Sequence, residues 1–295
     1  MGHAQLPQER GPYFPALLGE AGVRTASFAA FDHLAGARCV VRGFAEETRV
    51  GGEAWADAEQ LGEALLARLV ETPPSQRVLA FAHFMDAHHP YDGEGAGERE
   101  RWLDELARVD AQIDRLLAGI AAAGLRDRTF VVLTADHGEA FGEHGTHMHG
   151  STLYEEVVRV PLVVAGPGHA PRRVHAPVSL LDVAPTLLDL FGVATPGTFM
   201  GESLVPYLRG QDPTLTRPIA IEARPKQAMI FPGGIKAIRD LDNAVVELYD
   251  LRADPRELDN LCDRDVDRLA PHIGRLVAYF DAHEHRAPGY RVPIR

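Results

Sequence analysis

Cysteine is scarce: the 295 residues hold two, Cys39 and Cys262. Two thiols so far apart supply neither a disulfide framework nor a cysteine-based metal cluster. No apolar run approaches the roughly 20 residues that a membrane-spanning helix needs. Residues 1–12 are polar and lack the apolar core of a secretory leader, so a genuine start at Met1 implies a cytoplasmic protein. Excess positive charge is lacking as well, with 30 Lys and Arg against 42 Asp and Glu, for a net charge of −12. That excludes a non-specific nucleic-acid binder. It also requires any anionic substrate to be met by local positive charge, on a metal ion or on histidines. Neither H-E-x-x-H nor G-x-S-x-G occurs; Ser151 sits in H-G-S-T without the second glycine. The zinc-protease and serine-hydrolase readings fall away with them.

What is present is histidine, concentrated. From Thr129 to Pro161 the chain reads T-F-V-V-L-T-A-D-H-G-E-A-F-G-E-H-G-T-H-M-H-G-S-T-L-Y-E-E-V-V-R-V-P. The continuous apolar run Phe130 to Leu133 predicts a strand buried on both faces, as in a parallel sheet. It stops at Asp136 and His137. In open α/β sheets ligands bind just past the carboxyl ends of strands, and an adjacent carboxylate and imidazole suit a divalent cation. His144, His147 and His149 follow, with Glu139 and Glu143 among them. One Asp-His pair after a strand is commonly a turn; this density of titratable groups beside four glycines points to a metal or anion site.

A second cluster ends the apolar stretch Val78 to Phe84, where M-D-A-H-H-P-Y brings His83, Asp86, His88 and His89 together. Pro90 biases His89 towards an extended conformation, which would hold His88 at a pocket edge. By itself the segment reads equally well as a histidine-rich turn.

The order T-A-D-H-G-E, G-E-H-G and H-G-S-T-L-Y-E-E-V-V-R-V-P-L-V-V-A-G-P-G, with L-L-D-V-A-P-T-L-L-D-L-F-G further on, resembles the sulfatase family of the alkaline phosphatase superfamily. The resemblance implies a metal-dependent hydrolase of sulfate or phosphate esters acting on a small anionic substrate. Asp136 and His137 would ligate a divalent metal (Ca, Mn, Mg or Zn). His149 stands where the family places a cationic contact to the transferred group. His88 matches the histidine of the family's H-x-P motif and would touch the sulfuryl or phosphoryl oxygens; His144 and His147 would support the site from outside. The family's nucleophile motif, C/S-x-P-x-R, has no match, because Cys39 lies in C-V-V-R-G and reads as an ordinary cysteine. The resemblance covers the C-terminal two-thirds of a family member and lacks its first β-α units. An incomplete or inactive hydrolase is therefore expected, unless another chain supplies the rest. The rival is a non-catalytic anion-binding or interaction protein on the same fold.

The rest of the pattern predicts an α/β domain over residues 1–212: a mostly parallel sheet with strands at Thr25 to Phe31, Val78 to Phe84, Phe130 to Leu133 and Val160 to Ala165. Helices are predicted at Tyr13 to Gly22, Ala56 to Val70, Arg101 to Ala123 and Ser179 to Phe191. The last begins with a capping box of Ser179 and Asp182. The Val78 and Phe130 strands, joined by the long helix, read as a β-α-β crossover. Residues 213–295 read as a small antiparallel sheet and a helix, Val266 to Ala282, with the carboxylates of E-L-Y-D-L-R-A-D-P-R-E-L-D-N-L in turns and caps.

Overall fold

The computed structural model describes residues 12–31, 42–52, 55–213, 216–223, 225–264 and 266–283. Cys39 lies outside them. The chain divides into two compact units. One holds residues 1–130, 166–169 and 181–205, and the other 131–165, 170–180 and 206–295. Among the described residues no helix is long and apolar enough to cross a membrane.

The first unit is built on three parallel strands, β1 (Arg24–Ala29), β2 (Glu46–Arg49) and β3 (Val78–His83), in the order β2-β1-β3. β1 lies in the middle and five of its six residues are buried. β2 reads E-E-T-R and carries no apolar signal, so the sequence reading passes over it. Its place comes from backbone pairing with Ala26 to Ala29 and from Glu46, which takes ion pairs from both Arg24 and Arg68. Helices α1 (Phe14–Glu20), α2 (Ala58–Glu71) and α3 (Glu98–Ala122) accompany the sheet. A full capping box of Asp57 and Gln60 starts α2. The Asp86 carboxylate also receives the Ala58 amide, at 2.8 Å, so one carboxylate of the second histidine cluster closes a helix end. Burial pushes the Asp86 pKa up. Phe28, Leu61 and Met85 form one core; Leu18 of α1 and Leu188 of the helix Val183–Leu190 form another. Asp182, ahead of that helix, accepts from the Glu202 amide, 2.8 Å away, and its side chain makes no cap hydrogen bond to Val183–Leu190.

The second unit contains β4 (Val131–Thr134), β5 (Ala140–Phe141), β6 (His147–Met148), β7 (Leu162–Ala165) and a four-stranded antiparallel sheet of β8 (Ile219–Ala223), β9 (Lys226–Ile230), β10 (Ile235–Asp240) and β11 (Val245–Asp250). The helix Val266–His283 covers that sheet, with Leu276 and Phe280 against Met229, Phe231 and Leu248. The antiparallel sheet and closing helix agree with the sequence reading, which passed over β9 alone of the four strands.

The α/β class holds, but one expectation within it fails. The Val78 and Phe130 strands do not share a sheet. β3 pairs with β1, and β4 pairs antiparallel with β7, Val131 opposite Ala165 and Thr134 opposite Leu162. Nor are β3 and β4 buried on both faces: both are half-buried along most of their length. An apolar run shows that a strand forms, but its hydrogen-bonding partner is chosen by the chain that returns beside it. For β4 that is the Val160 segment, running the other way. Leu61, fully buried against Ala26 and Phe28, sets the stability of the parallel unit. Leu61→Ala is expected to cost about 2–5 kcal/mol, read as a lowered urea midpoint at unchanged slope.

Candidate functional site

The end of β4 delivers Asp136 and His137 into a loop closed by a short hairpin. Gly138 follows, and its amide donates to the Val157 carbonyl at 2.7 Å. The backbones approach so closely there that a Cβ on Gly138 would stand 2.2 Å from the Glu156 carbonyl oxygen. Only glycine fits, which accounts for the residue after the Asp-His pair. β5 and β6 then pair, with Ala140 opposite Met148 and Phe141 opposite His147. Gly142 turns the hairpin at φ 108°, where a side chain would be strained.

This hairpin brings together residues ten apart. Glu139 precedes β5 and His149 follows β6, so they extend its ladder by one position. His149 Nδ1 lies 3.2 Å from Glu139 Oε1, and the Glu139 carboxylate side chain is 5% exposed. The His149 ring stacks on His137 with centroids 3.9 Å apart and planes 26° from parallel. His137 Nδ1 stands 2.9 Å from the Gly138 carbonyl oxygen, so it carries the proton and donates there. Its Nε2 lies 3.8 Å from Asp136 Oδ1. Asp136, His137 and His149 are therefore gathered in one place, with the Asp136 and His137 side chains 64% and 37% exposed and reachable by solute.

The remaining histidines divide. His147 points outward and is exposed. His144 is pinned: Nδ1 lies 2.8 Å from Glu156 Oε1, Nε2 lies 3.0 Å from the Glu257 carbonyl oxygen, and the ring stacks on Tyr154 at 3.8 Å. His88 belongs to the other unit. There its Nδ1 donates to the His89 carbonyl oxygen at 2.6 Å, and its ring meets Trp55 edge-on at 5.4 Å. The His89–Pro90 peptide bond is cis.

Below this loop lies an ion cluster that the sequence reading does not anticipate. Lys236 of β10 is fully buried, with Nζ 3.0 Å from Glu155 and 2.8 Å from Glu257. Glu257 also accepts the Glu155 amide at 2.6 Å, and it sits at φ 54°. Two signals exist in the sequence, a lone lysine inside the apolar run Ile235 to Ile238 and a glutamate between turn residues. Neither says that the two meet. Glu139 was visible in the motif, but its bond to His149 depends on the hairpin register.

The donor chemistry of Asp136 and His137 matches a divalent cation in kind. In number it falls short: among the described residues no group of three or more His, Cys, Asp or Glu is placed to hold a metal ion. The pair alone amounts to part of a coordination shell.

The family model described as Sulfatase matches residues 3–193. The uncharacterized sulfatase YidJ of Escherichia coli K12 is 32% identical over 249 residues, which cover 80% of this chain and 48% of that protein. Arylsulfatase K of Xenopus laevis is 32% identical over 192 residues, 59% of this chain and 35% of its own length. Choline-sulfatase of Rhizobium meliloti is 31% identical over 204 residues, 65% and 38%. The chain thus spans between about a third and a half of the length of these curated relatives. Among solved structures, the 2-O GAG sulfatase BT1596 superposes with a TM-score of 0.73 at 21% identity, over 95% of this chain and 77% of that one. The phosphonate monoester hydrolase of Agrobacterium radiobacter gives 0.71 at 17% identity, over 91% and 80%. At such identities the likeness is one of fold, and that fold is the α/β architecture of the alkaline phosphatase-like sulfatases.

Two outcomes test the loop itself. Gly138→Ala must push the Glu156 carbonyl aside, an overpacking expected to cost about 1–3 kcal/mol, read by thermal unfolding. For His144, burial favours the neutral ring, but the Glu156 carboxylate, the Glu257 carbonyl and the charges of both glutamates outweigh it and raise the pKa. The stability gained is fully present below an unfolded pKa of about 6.5 and is lost as pH rises through the raised folded value. The stability difference between wild type and His144→Gln should therefore shrink between pH 6 and alkaline pH in urea titrations.

Proposed function

The chain belongs to the sulfatase family of the alkaline phosphatase superfamily, and from that membership we propose that it carries the anion-binding part of a site that hydrolyses sulfate or phosphate esters. The observation that supports this most is the His137–His149 pair, rings 3.9 Å apart, with His149 backed by the buried Glu139. In a protein of net charge −12, an imidazolium at His149 would bring local positive charge and an N–H donor to an ester's oxygens, while His137, whose Nδ1 proton goes to the Gly138 carbonyl, keeps the Nε2 lone pair for a cation. Donors fixed in place before reaction stabilise the charge that develops on a transferring group or leaving oxygen. Glu139, accepting at Nδ1, orients the His149 ring, whose Nε2 donates to an anion in the imidazolium form.

On the motif match alone, His88 is a contact to sulfuryl or phosphoryl oxygens. Asp136 and His137 are two ligands of a divalent cation (Ca, Mn, Mg or Zn). Retained sulfatase chemistry passes through a covalent enzyme intermediate, and no residue here matches the family's nucleophile motif. The attacking group is accordingly assigned to another segment or another chain. In this reading residues 1–212 form the sulfatase-like domain and 213–295 its C-terminal subdomain. The substrate is a small anionic ester, and nucleic acid is not a partner.

Titrate the chain with sulfate and with phosphate by calorimetry, with and without each cation, and assay aryl sulfate and aryl phosphate esters in parallel. Anion binding should be present and should weaken roughly tenfold or more in His149→Ala, as expected for losing a hydrogen bond to a charged group. Turnover should stay near background, and Asp136→Ala should not change it. Absence of anion binding would overturn the proposal. Robust turnover that Asp136→Ala abolishes would show that the chain carries its own nucleophile.

A further inference from the structure

His144 is the residue that the proposed chemistry leaves unused, yet it is the most constrained histidine of the loop. It sits at φ 49°, ψ 26°, a left-handed conformation that costs a non-glycine residue free energy and persists only where its surroundings over-determine it. Its surroundings do so. The side chain is 13% exposed and the partner Glu156 15%. Both ring nitrogens are engaged, one by a carboxylate of the adjacent turn and one by a carbonyl 113 residues away. The face of the ring rests on Tyr154, whose hydroxyl donates to Glu247 of β11 at 2.7 Å. The turn that supplies Tyr154 and Glu156 is joined to the Glu257 turn by Lys236, through its contacts to Glu155 and Glu257.

The hairpin converts this anchorage into geometry at the site. His144 occupies its tip, between β5 and β6. Glu139 and His149 stand at its base, one residue beyond the Ala140–Met148 pair. With only two residue pairs in the ladder, the hairpin is too short to be stable unaided. If the tip is free, nothing in the ladder holds Glu139 against His149, and the stacking of His149 on His137 goes with it.

We propose that His144 is a positioning residue: held by Glu156, Tyr154 and the Glu257 turn, it docks the hairpin tip on the C-terminal sheet and thereby fixes the Glu139–His149–His137 arrangement at the hairpin base. The C-terminal antiparallel sheet is then part of the site's construction and not an appendage to it. The functional meaning rests on the anion-site reading above; the mechanical claim does not.

Hydrogen exchange by mass spectrometry on the full chain tests it, with ring-carbon NMR shifts of His137 and His149 as a second readout. His144→Ala should speed exchange across 138–149 by about tenfold or more and shift both ring signals. Exchange in β9 and β10 should stay as in wild type. Glu156→Gln, which keeps an acceptor for the ring but removes the charge, should fall between wild type and His144→Ala. If His144→Ala fails to fold, Glu156→Gln alone decides, by local acceleration confined to the hairpin. Unchanged exchange in 138–149, or equal acceleration in the hairpin and in β9 and β10, would overturn the proposal, because the second marks an ordinary loss of stability. A wild-type chain that binds no sulfate would remove the functional reading while leaving this result intact.

Discussion

A lysine with no access to water holds the second unit together. Lys236 rises from the middle of β10 and meets two carboxylates, Glu155 and Glu257, that come from distant parts of the chain. A buried ammonium is tolerated only when paired, and removing one partner of such a pair is far more costly than never having had it. The segment after the histidine loop and the turn after β11 are therefore compelled to meet at one point. What lies above that point inherits its position: Tyr154 over Glu247, His144 between Glu156 and the Glu257 carbonyl, and the hairpin that ends in His149.

The loop shows the same economy of means at smaller scale. Gly138 lets the backbone run against the Glu156 carbonyl, and Gly142 reverses the hairpin. The two strands are only long enough to define a register. Within that register, a carboxylate and an imidazole ten residues apart become neighbours, and the imidazole lies on another at 3.9 Å. Flexible residues permit the path, and the polar contacts select one conformation from those permitted. The chain spans 35–48% of the length of three curated relatives, and this loop lies within the matched sulfatase region.

Much of the element pattern was legible. The helices α1, α2 and α3, the strand at Val78 and the closing antiparallel sheet follow from apolar periodicity and from Gly and Pro at their ends, and they appear within a few residues of expectation. β2 was not legible, because E-E-T-R has the composition of a loop and becomes a strand through pairing with β1 and through the Arg24–Glu46–Arg68 contacts. The contact of Asp182 with the Glu202 amide was not legible either, since its partner comes from twenty residues on.

By itself the sequence determined that the chain is α/β, that it belongs with the sulfatases, and that Asp136, His137 and His149 fall in one histidine-rich loop. These rest on local order, which a linear reading preserves. Only the tertiary structure decided that β4 turns to β7 and not to β3, that Glu139 backs His149, and that His144 serves the loop from beneath. Each depends on contact between residues that are remote in sequence. Such contacts are set by where buried charge finds its partner and where backbone amides find their acceptors, and neither is written in periodicity or spacing.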